Sequence, residues 1–370
     1  MKKGREIGLT LVILVSVIGL GLIGCAQPAP APAPAPTVTV TTTATPAPME
    51  KFIFKYSDTD PIAASGPNYA YEPTFKKVEE MTGGRLTFER FYGGTLLASD
   101  TAYEGCRSGV VDMTTARQYT GGAFLVAQIG MMPYAAKDTY NVIRGLNQLV
   151  AKGYMDDILP GLKFLSVTAT TPYQFLFKDK KPMTVEELKG IKMRSAGGYL
   201  GNGLSALGIV PVTIIPAEVY DSLSKGVIDS VYWSVSAMYD FKSYELAKNL
   251  LEFGAQVWTA SIIVMNEKSY NSLPPDLQKI VNDELAEKLG LVRMEAFRTG
   301  DKPAMTAMKA AGVQTYSFSD TELEKARKAV LPVWDKGIED LDKKGLPGKQ
   351  VMTDFVNALK ALGENPPWTP

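Results

Sequence analysis

From residue 50 onward the chain switches repeatedly between two hydrophobic periods. Phe52-Ile53-Phe54-Lys55-Tyr56-Ser57 reads as a strand, and so does Leu86 to Tyr92. Between them, Phe75 to Met81 has the spacing of a helix and stops at Gly83-Gly84, where two glycines release the chain into a turn. Ile262-Ile263-Val264-Met265 is an unbroken apolar run that predicts a buried strand, and Glu284 to Arg298 a long polar–apolar helix. Thr184-x-x-Glu187 before Leu188 and Ser319-x-x-Glu322 before Leu323 match the capping box that opens helices. The stretch from Glu322 to Leu362 reads as mostly helical, broken around Gly345-Leu346-Pro347-Gly348. This alternation predicts an α/β fold.

Two segments repeat one another. Tyr103-Glu104-Gly105-Cys106-Arg107-Ser108-Gly109-Val110-Val111-Asp112 and Tyr220-Asp221-Ser222-Leu223-Ser224-Lys225-Gly226-Val227-Ile228-Asp229 align without a gap. Each reads as a short amphipathic helix, a glycine in the left-handed C′ position, and an apolar strand ending in Asp. A duplicated unit predicts two related α/β lobes.

The first 48 residues are of another kind. Lys2, Lys3 and Arg5 precede an uncharged Leu/Ile/Val/Gly stretch from Ile7 to Ile23, the n-region and h-region of an export signal. Leu22-Ile23-Gly24-Cys25 looks like a bacterial lipobox, so residues 1–24 are expected to be a lipoprotein signal peptide and Cys25 the lipidated N-terminus. An uncleaved transmembrane anchor is the alternative. Ala26 to Pro48 holds Ala, Pro, Thr and Val with one Gln and no charge, the composition of an extended tether.

Composition narrows the chemistry. Of 370 residues 45% are hydrophobic, so whole-chain disorder is excluded. Lys+Arg and Asp+Glu both number 39, which leaves no basic field for nucleic acid. Histidine is absent, removing the commonest general base and zinc ligand together. No Gly-x-Ser-x-Gly or Walker sequence occurs. Gly201-x-Gly203-x-x-Ala206 mimics a dinucleotide fingerprint, but Arg194 and six further residues stand where a strand should run into the first glycine. Cys106 reads as a buried core thiol, and the Met131-Met132-Pro133-Tyr134 cluster as packing. An enzyme built on Asp/Glu pairs thus lacks a mechanism, and neither a cofactor nor a metal is expected.

With these elements placed, the body resembles the extracytoplasmic solute-binding subunits of TRAP transporters, the DctP-type family. The resemblance rests on Thr82-Gly83-Gly84-Arg85-Leu86, Tyr92-Gly93-Gly94-x-Leu96 and Gly109-Val110-Val111-Asp112. It continues in Glu187-Leu188-Lys189-Gly190-Ile191-Lys192-Met193-Arg194, Glu218-Val219-Tyr220 with Gly226 to Asp229, and Ser272-Leu273-Pro274-Pro275-Asp276-Leu277-Gln278-Lys279, all in the family's order. It implies a two-lobed fold like that of periplasmic binding proteins, with hinge strands and a ligand cleft between the lobes. The expected division is 50–171 plus 259–300 for lobe I and 172–258 plus 301–370 for lobe II.

The resemblance also implies a carboxylate-pairing arginine at Arg194, whose planar two-donor fork suits that group. Gln174 stands where some members have a second cleft arginine. Arg117 replaces an acidic residue, and Tyr232-Trp233 replaces Glu-Trp, which removes a metal-associated Glu. Tyr232 and Trp233 alternate on a strand end, so one of them faces the cleft, and Trp233 is favoured. Glu218 and Tyr56 complete the candidate ligand contacts. The expected ligand is a small organic acid, with a monocarboxylate or 2-oxo acid preferred to a dicarboxylate. The expected partners are TRAP membrane subunits and, through Cys25, a membrane. A ligand-binding adaptor for an extracytoplasmic sensor would share the same body.

Overall fold

The computed structural model describes residues 50–117, 124–259 and 261–369. The export signal, Cys25 and the tether lie outside the described residues. The strands are β1 (Phe52–Ser57), β2 (Leu86–Phe91), β3 (Met113–Arg117), β4 (Leu162–Val167), β5 (Gln174–Phe177), β6 (Lys192–Ser195), β7 (Val210–Thr213), β8 (Ser230–Trp233), β9 (Asn249–Leu251), β10 (Ser261–Asn266) and β11 (Gln314–Tyr316). They form two sheets, one in the order β2-β1-β3-β10-β4 and one in the order β11-β9-β5-β8-β6-β7. Each sheet has a parallel part and an antiparallel part. β1 runs parallel to β2 and β3, with β10 antiparallel between β3 and β4. β6 runs parallel to β7 and β8, with β5 antiparallel between β8 and β9.

The two repeated segments occupy equivalent places in the two sheets. Each forms a helix, Ala102–Ser108 and Val219–Ser224, followed by Gly109 (φ 86°) or Gly226 (φ 72°). The strand then starts after the Asp and not before it, contrary to the sequence-based expectation. Val110 N and Val227 N bond back to carbonyls of the preceding helix, at Gly105 and Ser222, so the valines close the helix turn and leave the sheet. Asp112 and Asp229 then lock the junction. Asp112 Oδ2 accepts from Lys55 N of β1 (2.7 Å), and Asp229 Oδ2 from Lys192 N of β6 (3.1 Å). Each carboxylate satisfies a backbone donor one residue before the two parallel strands begin to pair.

Three segments pass between the sheets. Residues 168–173 lead from β4 to β5 and residues 252–259 lead back toward β10. They bond to each other, Thr170 N to Trp258 O (3.2 Å) and Tyr173 N to Gln256 O (2.8 Å). The third is the long helix Glu287–Ala310. It packs on β4 and the turn Pro67–Tyr71 on one side and on the helix Val235–Asp240 on the other. A Cβ at Gly290 would collide with Ser166 Oγ and the Val167 carbonyl, so glycine lets the helix lie directly on β4.

The apolar runs fill the layers: all of β10 and all of β8 are buried. The C-terminal region forms three helices, Asp320–Val330, Val333–Lys343 and Gly348–Ala361, breaking at Leu331-Pro332 as well as at Gly345–Pro347. The last of them returns to pack on the helix Thr139–Ala151, with Phe355 and Leu359 against Gly145.

Candidate functional site

In both sheets the parallel strands β3, β6 and β8 end on the same space, the position where open α/β sheets place their ligands. Arg117 closes β3, Arg194 lies in β6 and Trp233 closes β8. All three line one small cavity. The passing segments contribute Thr170, Tyr173 and Trp258, and the long helix contributes Arg293 and Phe297. Five aromatic rings, those of Tyr173, Trp233, Phe241, Trp258 and Phe297, make most of its apolar wall.

Arg194 is 1% exposed. Its Nε donates to Ile214 O (3.1 Å) and its Nη1 to Tyr232 O (3.4 Å), which fixes the plane of the guanidinium. The guanidinium lies over Trp233, 4.1 Å from the ring centroid, and Trp233 stacks in turn on Phe241 at 5.0 Å. A cation on an aromatic face in a site shielded from water is held in place by the ring's negative face.

Across the cavity, Arg117 is tied into an acidic cluster. Nη1 donates to Asp58 Oδ1 (2.6 Å) and Thr59 Oγ1 (2.5 Å), and Nη2 to Asp60 Oδ2 (2.8 Å). Burial works against the Asp58 carboxylate, but Arg117, Arg293 and the Asp60 N–H outweigh it and hold its pKa below the ordinary value. Tyr56 stands behind the cavity wall, its hydroxyl donating to Asp58 Oδ2 (2.8 Å). Arg293 Nη2 reaches the same Asp60 Oδ2 at 3.1 Å. A clasp joins the two sides at the rim, where Ser65 N and Oγ donate to Asp240 Oδ2 at 3.2 and 3.0 Å. Burial pushes the Asp240 carboxyl up.

Not all the expected contacts come together. Tyr232 is fully buried on the opposite face of β8, packed on Tyr173 and Phe175 with its hydroxyl toward Gln256. Gln174 does not line the cavity; it braces the backbone instead, Nε2 donating to Pro172 O and Oε1 accepting from Phe253 N (2.6 Å). Glu218 is exposed at the end of the turn Pro216–Glu218, of which Pro216 alone lines the cavity. The sequence reading missed Arg293, Asp60 and Asp240. A signal for Arg293 was present: Leu289, Arg293 and Phe297 follow at helical i, i+4 spacing, a cation set within an apolar stripe.

Two α/β sheets joined by paired crossing segments, with a small cationic and aromatic cavity between them, define a two-lobed ligand-binding protein. Residues 67–340 match the family of bacterial extracellular solute-binding proteins, family 7 (DctP), and the chain belongs to that family. The family is made of solute-binding proteins, which act outside the cytoplasm. A monocarboxylate 2-oxoacid-binding periplasmic protein of Nostoc is 26% identical over 275 residues, covering 72% of this chain and 74% of its own. The C4-dicarboxylate-binding periplasmic protein DctP of Rhodobacter capsulatus is 26% identical over 299 residues, covering 78% and 87%. A TRAP solute-binding protein from Rhodoferax ferrireducens, crystallised with copurified benzoate, superposes with a TM-score of 0.79 at 25% identity, covering 85% of this chain and 99% of that one. Among the described residues no helix is long and apolar enough to cross a membrane.

Proposed function

We propose that this protein captures a small monocarboxylate with a flat apolar body and delivers it to TRAP-type membrane subunits. The carrying observation is Arg194, buried and held over Trp233 in a cavity walled by five aromatic rings. A guanidinium suits a carboxylate, and the rings suit a planar apolar body. The benzoate carried by the Rhodoferax protein agrees with this reading. A dicarboxylate, as in the Rhodobacter name, would ask Arg117 for a second ion pair, but that guanidinium already faces Asp58 and Asp60.

Binding proceeds by differential affinity. Separated lobes admit the acid, Arg194 engages its carboxylate, and closure excludes water so that the pair strengthens. The Ser65–Asp240 clasp forms only when the two sides meet. The lobes are taken as the two sheets with their helices, hinged at 168–173 and 252–259, with the C-terminal helix reaching back onto the first. The chain acts by binding and not by catalysis, tethered to a membrane through a lipid on Cys25.

Native mass spectrometry of protein purified without added ligand tests the reading. An aromatic or other apolar monocarboxylate carried through purification is the expected result. A sugar, an amine or a dicarboxylate in its place would overturn it.

A further inference from the structure

The cavity contains, beside Arg194 and Arg117, a third arginine on the long helix. Arg293 is 2% exposed. Its Nη2 is taken by Asp60, but its Nε and Nη1 make no hydrogen bond to any described residue. The guanidinium lies over Phe297, 4.9 Å from the ring centroid, and its Nε faces Gly66, another cavity residue. Buried donors carry the cost of lost hydration until an acceptor reaches them. Two on one side chain at a cavity wall call for an oxygen supplied by the ligand.

Charge decides which kind of oxygen. Asp58 and Asp60 stand against Arg117 and Arg293, two carboxylates and two guanidiniums, so the cluster is already neutral. Asp240 lines the same cavity from the other lobe. A second anion at Arg293 would be buried beside Asp60 and Asp240, where like charges repel strongly because little water screens them. A neutral hydroxyl or carbonyl oxygen accepts the same N–H groups without that repulsion.

We infer that the cavity selects a monocarboxylate bearing a neutral oxygen acceptor on its body, and that Arg293 reads this oxygen while Arg194 takes the carboxylate. The inference rests on the carboxylate reading proposed above. Arg293 is then a specificity-determining residue on the opposite side of the cleft from Arg194.

The test is calorimetry at neutral pH with benzoate, its 3- and 4-hydroxy derivatives, isophthalate and terephthalate. On wild type, one hydroxy acid should bind about 10- to 100-fold tighter than benzoate, the range of a hydrogen bond to a charged group, and both dicarboxylates should bind more weakly than benzoate. In Arg293→Met the hydroxyl advantage should vanish. Arg293→Lys, which keeps a cation for Asp60 and so guards against misfolding, should lose most of it as well. A dicarboxylate as the tightest ligand, no hydroxyl advantage on wild type, or an advantage that survives in both variants overturns the inference. If benzoate binds and Arg194→Ala abolishes it, the carboxylate reading stands whatever Arg293 does. If none of the five acids binds wild type, that reading falls and the inference falls with it.

Discussion

Replacing Arg117 with Met should destabilise the fold far more than it affects ligand affinity. Met keeps apolar volume and removes the charge, leaving Asp58 beneath the cavity without its main partner. The side chains of Asp58 and Arg117 are 0% and 1% exposed and 2.6 Å apart, so solvent screens neither. At centre-to-centre separations near 4 Å and an effective dielectric of about 20, the lost attraction is about 4 kcal/mol. Stranding one member of a buried pair typically costs about 3–5 kcal/mol, in agreement. Asp60 adds less, since it is partly exposed and keeps Arg293.

The effect should depend on pH. Asp58 has a lowered pKa in the folded protein, so its pairing stabilises the native state above the unfolded carboxyl pKa and is lost as pH falls through the folded value. The gap between wild type and Arg117→Met is therefore widest near neutrality and closes in acid, where the stranded carboxyl takes up a proton. Urea denaturation followed at several pH values measures this. Adding Asp58→Asn to Arg117→Met should recover much of the loss, because no buried charge remains unpaired. A neutral-pH cost below about 1 kcal/mol, or no recovery in the double variant, would refute the reasoning.

Arg194→Ala should cost on the order of 3 to 5 kcal/mol in binding a monocarboxylate, and Arg194→Lys should recover only part, since an ammonium cannot reproduce the planar fork; calorimetry decides. Ser65→Ala removes the hydroxyl half of the rim clasp, so the closed form should be less populated and ligand should leave faster, measured by stopped-flow release. Small-angle scattering should show the radius of gyration falling when a bound acid is added; an unchanged profile with proven binding would remove the closing cleft. Cys25→Ser should yield unanchored protein in fractionated cells, whereas full membrane retention would indicate an uncleaved anchor.

Local physics made much of this protein readable from its sequence. The bounds expected for β1 agree with the structure because strand period and flanking turns are written in adjacent residues. The repeat was visible because in both sheets the turn from helix into parallel strand is made by a left-handed glycine and closed by an Asp three residues on. Arg194 was marked by the motif around it, and the alternation of side chains along β8 required Trp233 and Tyr232 to face opposite ways. What the chain alone left open were relations between residues far apart in it. Whether Arg117 is offered to a ligand or bound by Asp58 and Asp60 depends on how β1 and β3 lie side by side. That Gln174 braces Phe253 and does not line the cavity depends on the pairing of β5 with β9. Arg293 joins the site because the long helix crosses from one sheet to the other, a path set by Gly290 seating on β4. Hydrophobic period and turn chemistry act over a few residues, while charge pairing and cavity shape act through space, so only the tertiary fold could decide which arginines line the cavity and which of them are already paired.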